Sequence, residues 1–283
     1  MDIASVITRI ARGEVSYALG RFQTVRTCYS AVRRLLEPKT SVAHGAAGTK
    51  TIFPDLDIAA AVAAIRRDAV FTGLRLPPAL TAEIEAFCRT EPLFARHDPA
   101  GPRFYYHQVR GGFAPDGRKV AIGPITDPLR CPAVRAVAED PALWALVRAY
   151  LGYRPRRAET LLYWSFASRF AAEERRRLKQ HVIDYHYDVG GFNFVYVSFY
   201  IIDCTLASGA HVMVKGSHRR KPLRMLLGST VASEREVYRQ FGKENEIVIE
   251  GPAGTGFIQD PACYHRASPP IDGDRLWLQI RFS

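Results

Sequence analysis

Three side chains that could share one metal ion stand out in the second half of the chain. His186 and Asp188 are two residues apart in His-Tyr-Asp, and side chains with this spacing on a β-strand point to the same side. His265, at the end of Asp-Pro-Ala-Cys-Tyr-His, could supply a third ligand. Two imidazoles and one carboxylate on one face of a metal leave the opposite face open, as is typical of non-haem Fe(II) enzymes that activate oxygen. The competing interpretation is that the short His-x-Asp pattern has no chemical role.

A permanently charged residue follows these candidates. Arg275 lies ten residues after His265, on the polar face of the terminal strand that the sequence predicts. A buried guanidinium is costly without an acidic partner, and it can bind a carboxylate through two parallel hydrogen bonds. The distal carboxylate of 2-oxoglutarate would be such a partner, with the 2-oxo acid end of the same molecule on the metal. The alternative is a structural ion pair with Asp272 or Asp274.

The patterning that must position these groups is mostly that of β-strands. Strands are predicted at residues 70–76, 103–110, 161–166, 192–203, 210–215, 246–249, 256–259 and 275–282. In the fourth of these, apolar Val195, Val197, Phe199 and Ile201 alternate with Tyr196, Ser198 and Tyr200. In the last, Leu276, Leu278, Ile280 and Phe282 alternate with Arg275, Trp277, Gln279 and Arg281. An antiparallel sheet with an apolar back under helices and a polar front produces this split. We therefore expect a mainly β fold with flanking helices, a barrel or sandwich with an internal active site.

Helical patterns precede and interrupt the strands. Two helices are expected in residues 1–36, and others at 57–67, 81–89 and 140–151, with a loop or short helix leading to residue 180. Residues 39–50, rich in Gly, Ser, Thr and Ala, suggest a connector. The expected organisation is an N-terminal helical extension packed on the core, residues 1–56, followed by the main domain, residues 57–283. Peripheral contact of residues 1–36 with a membrane surface is the less favoured alternative.

Composition narrows the class of protein. The chain has 283 residues with 47% hydrophobic and 24% charged side chains, an ordinary globular balance. Its five cysteines show no CxxC spacing, which argues against a disulfide framework or a structural zinc site and favours a reducing, cytoplasmic setting. The first residues lack the features of a secretory signal, and no apolar run approaches the length of a membrane span.

The formal net charge of +11 favours acidic partners. The densest basic clusters, residues 175–179 and 218–221, flank the candidate site in sequence. We interpret each cluster by itself as a solvated helix face.

Several motifs resemble those of the phytanoyl-CoA dioxygenase family of Fe(II)/2-oxoglutarate oxygenases, in the family's order and at its usual spacing. The resemblance covers about residues 57–283. It is carried by His186-Tyr-Asp188, Ser208-Gly-Ala-His-Val-Met-Val-Lys-Gly-Ser-His218, Gly251-Pro-Ala-Gly254, His265-Arg-Ala-Ser-Pro-Pro270 and Arg275.

The resemblance implies a double-stranded β-helix with flanking helices. It implies that His186, Asp188 and His265 are iron ligands and that Arg275 binds 2-oxoglutarate. The implied reaction is hydroxylation of an unactivated C–H bond with O2, with release of succinate and CO2. The carboxylate of Asp188 argues against a halogenating relative, because such relatives carry a small residue there.

The chain departs from the family pattern beside the arginine. Many members have a serine two residues after the distal histidine, but Ala267 stands there, and Ser268 follows. Since Arg275 is also one residue closer than in several members, Ser268 could assist at the co-substrate. Ser198 and Tyr196 point into the same cavity if the strand register holds. His181, His211 and His218 are expected to be structural, with His218 in a turn that shapes the mouth of the site.

Other functions remain open from the residues alone. The basic charge suggests an AlkB-like nucleic-acid demethylase, although the spacing from His265 to Arg275 is too short for that family, and no nucleic-acid partner is expected. A catalytically silent binding protein on the same fold is another alternative. The expected substrate is a small anionic metabolite, such as a sugar, lipid, acyl or amino acid derivative.

Overall fold

Two antiparallel β-sheets form the centre of the chain in the computed structural model, which describes residues 15–37, 50–178 and 183–283. The larger sheet has six strands in the order β1-β9-β5-β11-β3-β2, and the smaller has five in the order β7-β4-β10-β6-β8. The strands are β1 (Val70–Arg75), β2 (Ile122–Pro124), β3 (Ala158–Ser165), β4 (Tyr185–His186), β5 (Val195–Tyr200), β6 (His211–Val214), β7 (Val231–Ala232), β8 (Glu246–Ile249), β9 (Thr255–Gln259), β10 (His265–Ala267) and β11 (Arg275–Phe282).

Strand β11 confirms the alternation expected from the sequence. It pairs along its full length with β3 and over most of it with β5. Its even-numbered residues, from Leu276 to Phe282, are fully buried in the main hydrophobic cluster together with Val195, Val197 and Phe199 of β5. The opposite face of the larger sheet carries the polar side chains. The mainly β fold with flanking helices is therefore confirmed.

Three of the described helices precede the first strand, and the other six lie between strands in the sequence. The described helices are α1 (Val15–Leu19), α2 (Gln23–Leu35), α3 (Ile58–Asp68), α4 (Pro78–Thr90), α5 (Pro132–Ala138), α6 (Pro141–Leu151), α7 (Ala172–Leu178), α8 (Leu223–Leu227) and α9 (Glu234–Phe241). Helix α6 matches its predicted ends. Asp140 caps its N-terminus by accepting from the Ala142 and Leu143 N–H groups, and Gly152 ends it with φ 78°.

Two predicted elements require correction. The helix expected to begin at Thr81 begins at Pro78, because a proline fits the first helical turn, and the Thr81 hydroxyl donates to the Pro78 carbonyl. The strand expected at 103–110 is wrong. A short 3-10 turn, Tyr106–Gln108, occupies its centre because the Gln108 side chain accepts from the Tyr105 N–H.

The basic cluster at 175–179 is not simply a solvated face. Arg175 is buried, and its guanidinium donates to the carbonyls of Ser168 at 2.6 Å and Pro270 at 3.0 Å. This arginine therefore ties α7 to the segment that follows β10. Lys179 lies outside the described residues.

The described part of the N-terminal region contacts the body of the protein. The Arg21 guanidinium donates to the carbonyls of Leu226 and Gly228, and the ring of Tyr29 stacks on Phe192 with centroids 4.9 Å apart. Residues 1–14 and most of the expected connector at 39–50 lie outside the described residues. In the part of the chain that the structure describes, no helix is long and apolar enough to cross a membrane. All five cysteines are free.

Candidate metal and co-substrate site

The backbone of the smaller sheet brings the two predicted histidines together. His186 on β4 is the direct register partner of His265 on β10, and their ring centroids lie 4.3 Å apart. On its other edge β10 pairs with β6, where Met213 stands opposite His265. Both imidazoles are thus held by paired strands rather than by loops.

Asp188 completes the cluster from just beyond the end of β4. Its backbone N–H donates to the Pro261 carbonyl at 2.8 Å, which fixes the turn that leaves the strand. One carboxylate oxygen lies 3.7 Å from His186 Nε2, and the other lies 3.6 Å from His265 Nε2. The three donor atoms all lie within 4.8 Å of one another, the one group of this kind among the described residues.

Both imidazoles are oriented by the carbonyl group of the residue two positions earlier in the chain, just before each strand begins. His186 Nδ1 lies 3.1 Å from the Asp184 carbonyl, and His265 Nδ1 lies 2.8 Å from the Cys263 carbonyl. An Nδ1–H that donates to a carbonyl leaves the Nε2 lone pair free, which is the usual arrangement of histidine metal ligands. Each Nε2 faces the Asp188 carboxylate.

The protonation states also suit a cation. Burial, and after it the neighbouring His265, lower the pKa of His186 to about 4. Burial alone would raise the pKa of Asp188, but hydrogen bonding and charge from His265 and His186, together with the Tyr196 hydroxyl, hold it well below its usual range. At neutral pH His186 is a neutral imidazole and Asp188 a carboxylate, the forms that bind metals.

Arg275 is a buried guanidinium that makes no ion pair with any described residue. It is 2% exposed, it donates to the Gly209 carbonyl and, at 3.1 Å, to the Ser165 hydroxyl, and it lies 4.7 Å from the Trp277 ring. Its Nε has no hydrogen-bond partner among the described residues. A buried charge is costly unless it is paired, so this guanidinium is suited to an anionic ligand.

The alternative of a structural ion pair at Arg275 is wrong. Asp274 instead accepts from the Tyr106 hydroxyl at 3.1 Å and from the Ala167 N–H at 2.7 Å. Neither Asp274 nor Asp272 forms an ion pair with Arg275 among the described residues.

Unpaired polar atoms line the space between the two sheets. Several buried side-chain atoms have no hydrogen-bond partner among the residues that the structure describes: Ser198 Oγ, His211 Nε2, Trp277 Nε1 and both polar atoms of Gln259. The ring of His211 lies 5.3 Å from that of His265 and 5.7 Å from that of Trp277. His211 therefore stands between the candidate metal site and the surroundings of Arg275. Buried polar groups normally have hydrogen-bond partners, so these unpartnered atoms indicate a place for a polar ligand or water between the candidate metal site and Arg275.

Tyr196 and Ser268 occupy different places. Tyr196 lies near the Asp188 carboxylate, and burial, together with that negative charge, raises its pKa well above the usual range, so its hydroxyl is protonated at neutral pH. Ser268 is buried and its Oγ has no partner among the described residues, but the hydroxyl bonded to Arg275 is that of Ser165. Ser165 was not among the predicted site residues, although strand alternation places it on the same face as Tyr163. His211, predicted to be structural, is buried with its ring 5.3 Å from that of His265. His181 lies outside the described residues.

No family model and no curated protein matches the chain. Solved structures do match. The non-heme α-ketoglutarate-dependent epimerase SnoN from nogalamycin biosynthesis is 17% identical with a TM-score of 0.53, covering 80% of this chain and 82% of its own. AviO1 from Streptomyces viridochromogenes Tue57 is 17% identical with a TM-score of 0.51, covering 83% and 96%. EvdO2 from Micromonospora carbonacea var. aurantiaca, complexed with 2-oxoglutarate, is 14% identical with a TM-score of 0.52, covering 83% and 94%. At these identities the similarity establishes the fold, and the chain has the double-stranded β-helix of structures that include 2-oxoglutarate-dependent enzymes.

Proposed function

We propose that the chain is an Fe(II)- and 2-oxoglutarate-dependent oxygenase, with His186, Asp188 and His265 as the iron ligands. The observation that carries the proposal is the convergence of these three donors, with the buried Arg275, which has no ion-pair partner among the described residues, reached from them through the rings of His211 and Trp277. Metal–nitrogen and metal–oxygen bonds of about 2.0–2.2 Å suit donor atoms that lie 3.6 and 3.7 Å apart around one ion. Three ligands on one side leave the other side for co-substrate and oxygen.

The protein groups have distinct roles in this proposal. The carbonyls of Asp184 and Cys263 hold the two imidazoles, and Tyr196 holds the carboxylate, so that the ligand set is preorganised before iron binds. Fe(II) bound there would supply oxygen activation coupled to the decarboxylation of 2-oxoglutarate to succinate and CO2.

Arg275 binds the distal carboxylate of 2-oxoglutarate in this proposal, and Ser165 orients the guanidinium. The unpaired Ser198, with Gln259 and His211, faces the rest of the co-substrate, and Ser268 and Tyr196 line its ends. Solved structures of similar fold support the cofactors. SnoN has been crystallised with Fe3+, α-ketoglutarate and nogalamycin RO, and HygX from Streptomyces hygroscopicus with nickel and 2-oxoglutarate.

The proposed reaction is hydroxylation of an unactivated C–H bond in a small anionic metabolite, as the resemblance to the phytanoyl-CoA dioxygenase family implies. Small-molecule chemistry is supported by the compounds bound in the similar structures, nogalamycin RO in SnoN and hygromycin B in HygX. SnoN is an epimerase, so product analysis has to distinguish added oxygen from inverted configuration.

Succinate release tests the proposal. The purified protein, supplied with Fe(II), O2 and 2-oxoglutarate, should release succinate slowly without substrate and faster with a substrate. His186→Ala should abolish this release, while His107→Ala, a change at an exposed histidine, should leave it intact. Succinate release that survives His186→Ala would contradict the ligand assignment. A stimulation by methylated oligonucleotides alone would favour a nucleic-acid demethylase instead.

A further inference from the structure

A cavity of about 440 Å³ lies where helix α2, the end of helix α6 and the turn after β6 meet. None of the three candidate metal ligands lines it. Its volume falls in the range of small-molecule sites, roughly 300–1,000 Å³. Its polar lining includes Arg26, Arg34, Arg66, Asn193, His218 and Arg219.

The charge at this cavity is positive and largely uncompensated. Arg34, Arg66 and Arg219 are exposed, and none of their guanidinium groups forms a hydrogen bond or ion pair with another described residue. No aspartate or glutamate is found among the described lining residues. Three free guanidinium groups around one concave surface favour a multiply charged anion.

A buried imidazole faces the same space. His218 is 5% exposed, and neither of its ring nitrogens has a hydrogen-bond partner in the described part of the chain. A neutral imidazole carries one N–H donor and one acceptor, and such groups are normally satisfied when they are buried. The ring is thus available as an additional donor to a bound anion, at a depth that the exposed arginines do not reach.

The inner wall of the cavity is held by a buried ion pair. The Arg26 guanidinium lies 2.7 Å from an Asp260 carboxylate oxygen and 2.8 Å from the Asn193 side-chain oxygen. The Tyr150 hydroxyl donates to the same aspartate at 2.6 Å. Because Asp260 neutralises Arg26, the free charge of the cavity resides on the three outer arginines, and the inner wall is preorganised.

We propose that this cavity is an anion-binding site for the phosphate or diphosphate group of a small phosphorylated compound, separate from the candidate metal site. Arg34, Arg66 and Arg219 provide the charge, and His218 provides a donor from the interior. Phosphate chemistry is favoured over a single carboxylate because three guanidiniums arrive from three different elements, α2, α3 and the turn after β6, and surround their ligand from several directions. The inference is independent of the proposed oxygenase activity.

Isothermal titration with inorganic diphosphate tests this site directly. The full chain is titrated in buffer containing EDTA, so that diphosphate cannot bind through a metal. Arg34→Gln and Arg219→Gln should each weaken binding about tenfold, as expected for the loss of one charge-assisted contact. The control is Arg235→Gln on α9, an exposed arginine that does not line the cavity, and it should leave the affinity unchanged.

The proposal would be overturned if the unaltered chain did not bind diphosphate, whether or not it bound an oligonucleotide, or if Arg235→Gln weakened binding as much as the cavity variants do. His186→Ala should not change the affinity, and a loss of binding in that variant would place the anion at the candidate metal site instead. As a second readout, the imidazole nitrogen signals of His218 should shift when diphosphate is added, and unchanged signals would contradict its assigned role.

Discussion

His186 and His265 are direct neighbours across the antiparallel pair of β4 and β10, with ring centroids 4.3 Å apart. Because backbone hydrogen bonds set this register, the proximity of the two imidazoles does not depend on a bound ion. Substitution of either ring should therefore affect metal affinity much more than the fold.

The first prediction concerns this pair. His186→Ala should lower Fe(II) affinity by roughly 100-fold or more, since even changes to groups that only orient metal ligands cost about 10–100-fold. Metal content after dialysis and the far-UV circular dichroism spectrum provide the measurement. An unchanged iron content would exclude His186 as a ligand, and His107→Ala serves as the control.

Arg275 leads to a prediction about the co-substrate. Arg275→Gln removes the charge but keeps donors, and it should raise the KM for 2-oxoglutarate by about 10–100-fold, the effect of losing hydrogen bonds to a charged group. The KM of Arg275→Lys should lie between those of the unaltered protein and of Arg275→Gln, because an ammonium keeps the charge but cannot make the two parallel hydrogen bonds of a guanidinium. Arg235→Gln should leave the KM unchanged. A normal KM in Arg275→Gln would show that the distal carboxylate binds elsewhere.

The burial of His218 should make the stability of the protein depend on pH. Burial lowers its pKa from 6.5 to about 4, with Arg26, Lys221 and Arg219 acting in the same direction and Asp260 opposing them. The unfolded chain therefore takes up this proton first as the pH falls. The stability contributed by the neutral ring is complete above about pH 6.5 and is lost between about 6.5 and 4, to the extent of about 3 kcal/mol.

Urea unfolding at several pH values measures this effect. The slope of the unfolding free energy against pH reports how many more protons the unfolded chain binds than the folded one. In that interval His218→Gln should lower this number by about one, and the exposed His107→Gln should leave it unchanged. The slope that remains belongs in part to His186 and His211, whose pKa values burial also lowers. An identical slope in His218→Gln would mean that this histidine titrates normally in the folded protein.

The buried pair of Arg26 and Asp260 should be important for stability. Arg26→Met leaves the aspartate, which is fully buried, without its cation, and breaking such a pair costs about 3–5 kcal/mol. Denaturant unfolding gives this value. The matched control is Arg177→Gln, which breaks an exposed pair with Glu173 on α7 and should cost under about 1 kcal/mol. Equal effects of the two changes would show that α2 is only loosely attached.

Local patterns predicted the long strands β5 and β11 and indicated His186 and Asp188 as candidate ligands, whereas the short strands β2, β4, β7 and β10 were not predicted. The alternation of apolar and polar residues in 195–201 and 276–282 follows directly from burying one face of a sheet, so it could be read without coordinates. His186 and Asp188 are only two residues apart in the sequence, so their pairing could be recognised locally. Asp140 with Pro141 and Gly152 marked both ends of a helix for reasons that are equally local.

Long-range features could not be predicted in the same way. That Ser165 contacts Arg275 depends on the register between β3 and β11, and that Arg26 neutralises Asp260 depends on how α2 docks. Neither relationship leaves a periodic signal in the sequence. The prediction of a strand at 103–110 was wrong because one local hydrogen bond, from the Tyr105 N–H to the Gln108 side-chain oxygen, stabilises a turn there.

An anaerobic titration with Fe(II) and then 2-oxoglutarate, followed by visible absorption, tests the central proposal most directly. A weak charge-transfer band should appear only when both are present, because it requires the co-substrate to chelate an iron held by His186, Asp188 and His265. The band should be absent in His186→Ala and should need higher 2-oxoglutarate concentrations in Arg275→Gln. A folded, iron-loaded protein that develops no band at saturating 2-oxoglutarate would contradict the assignment.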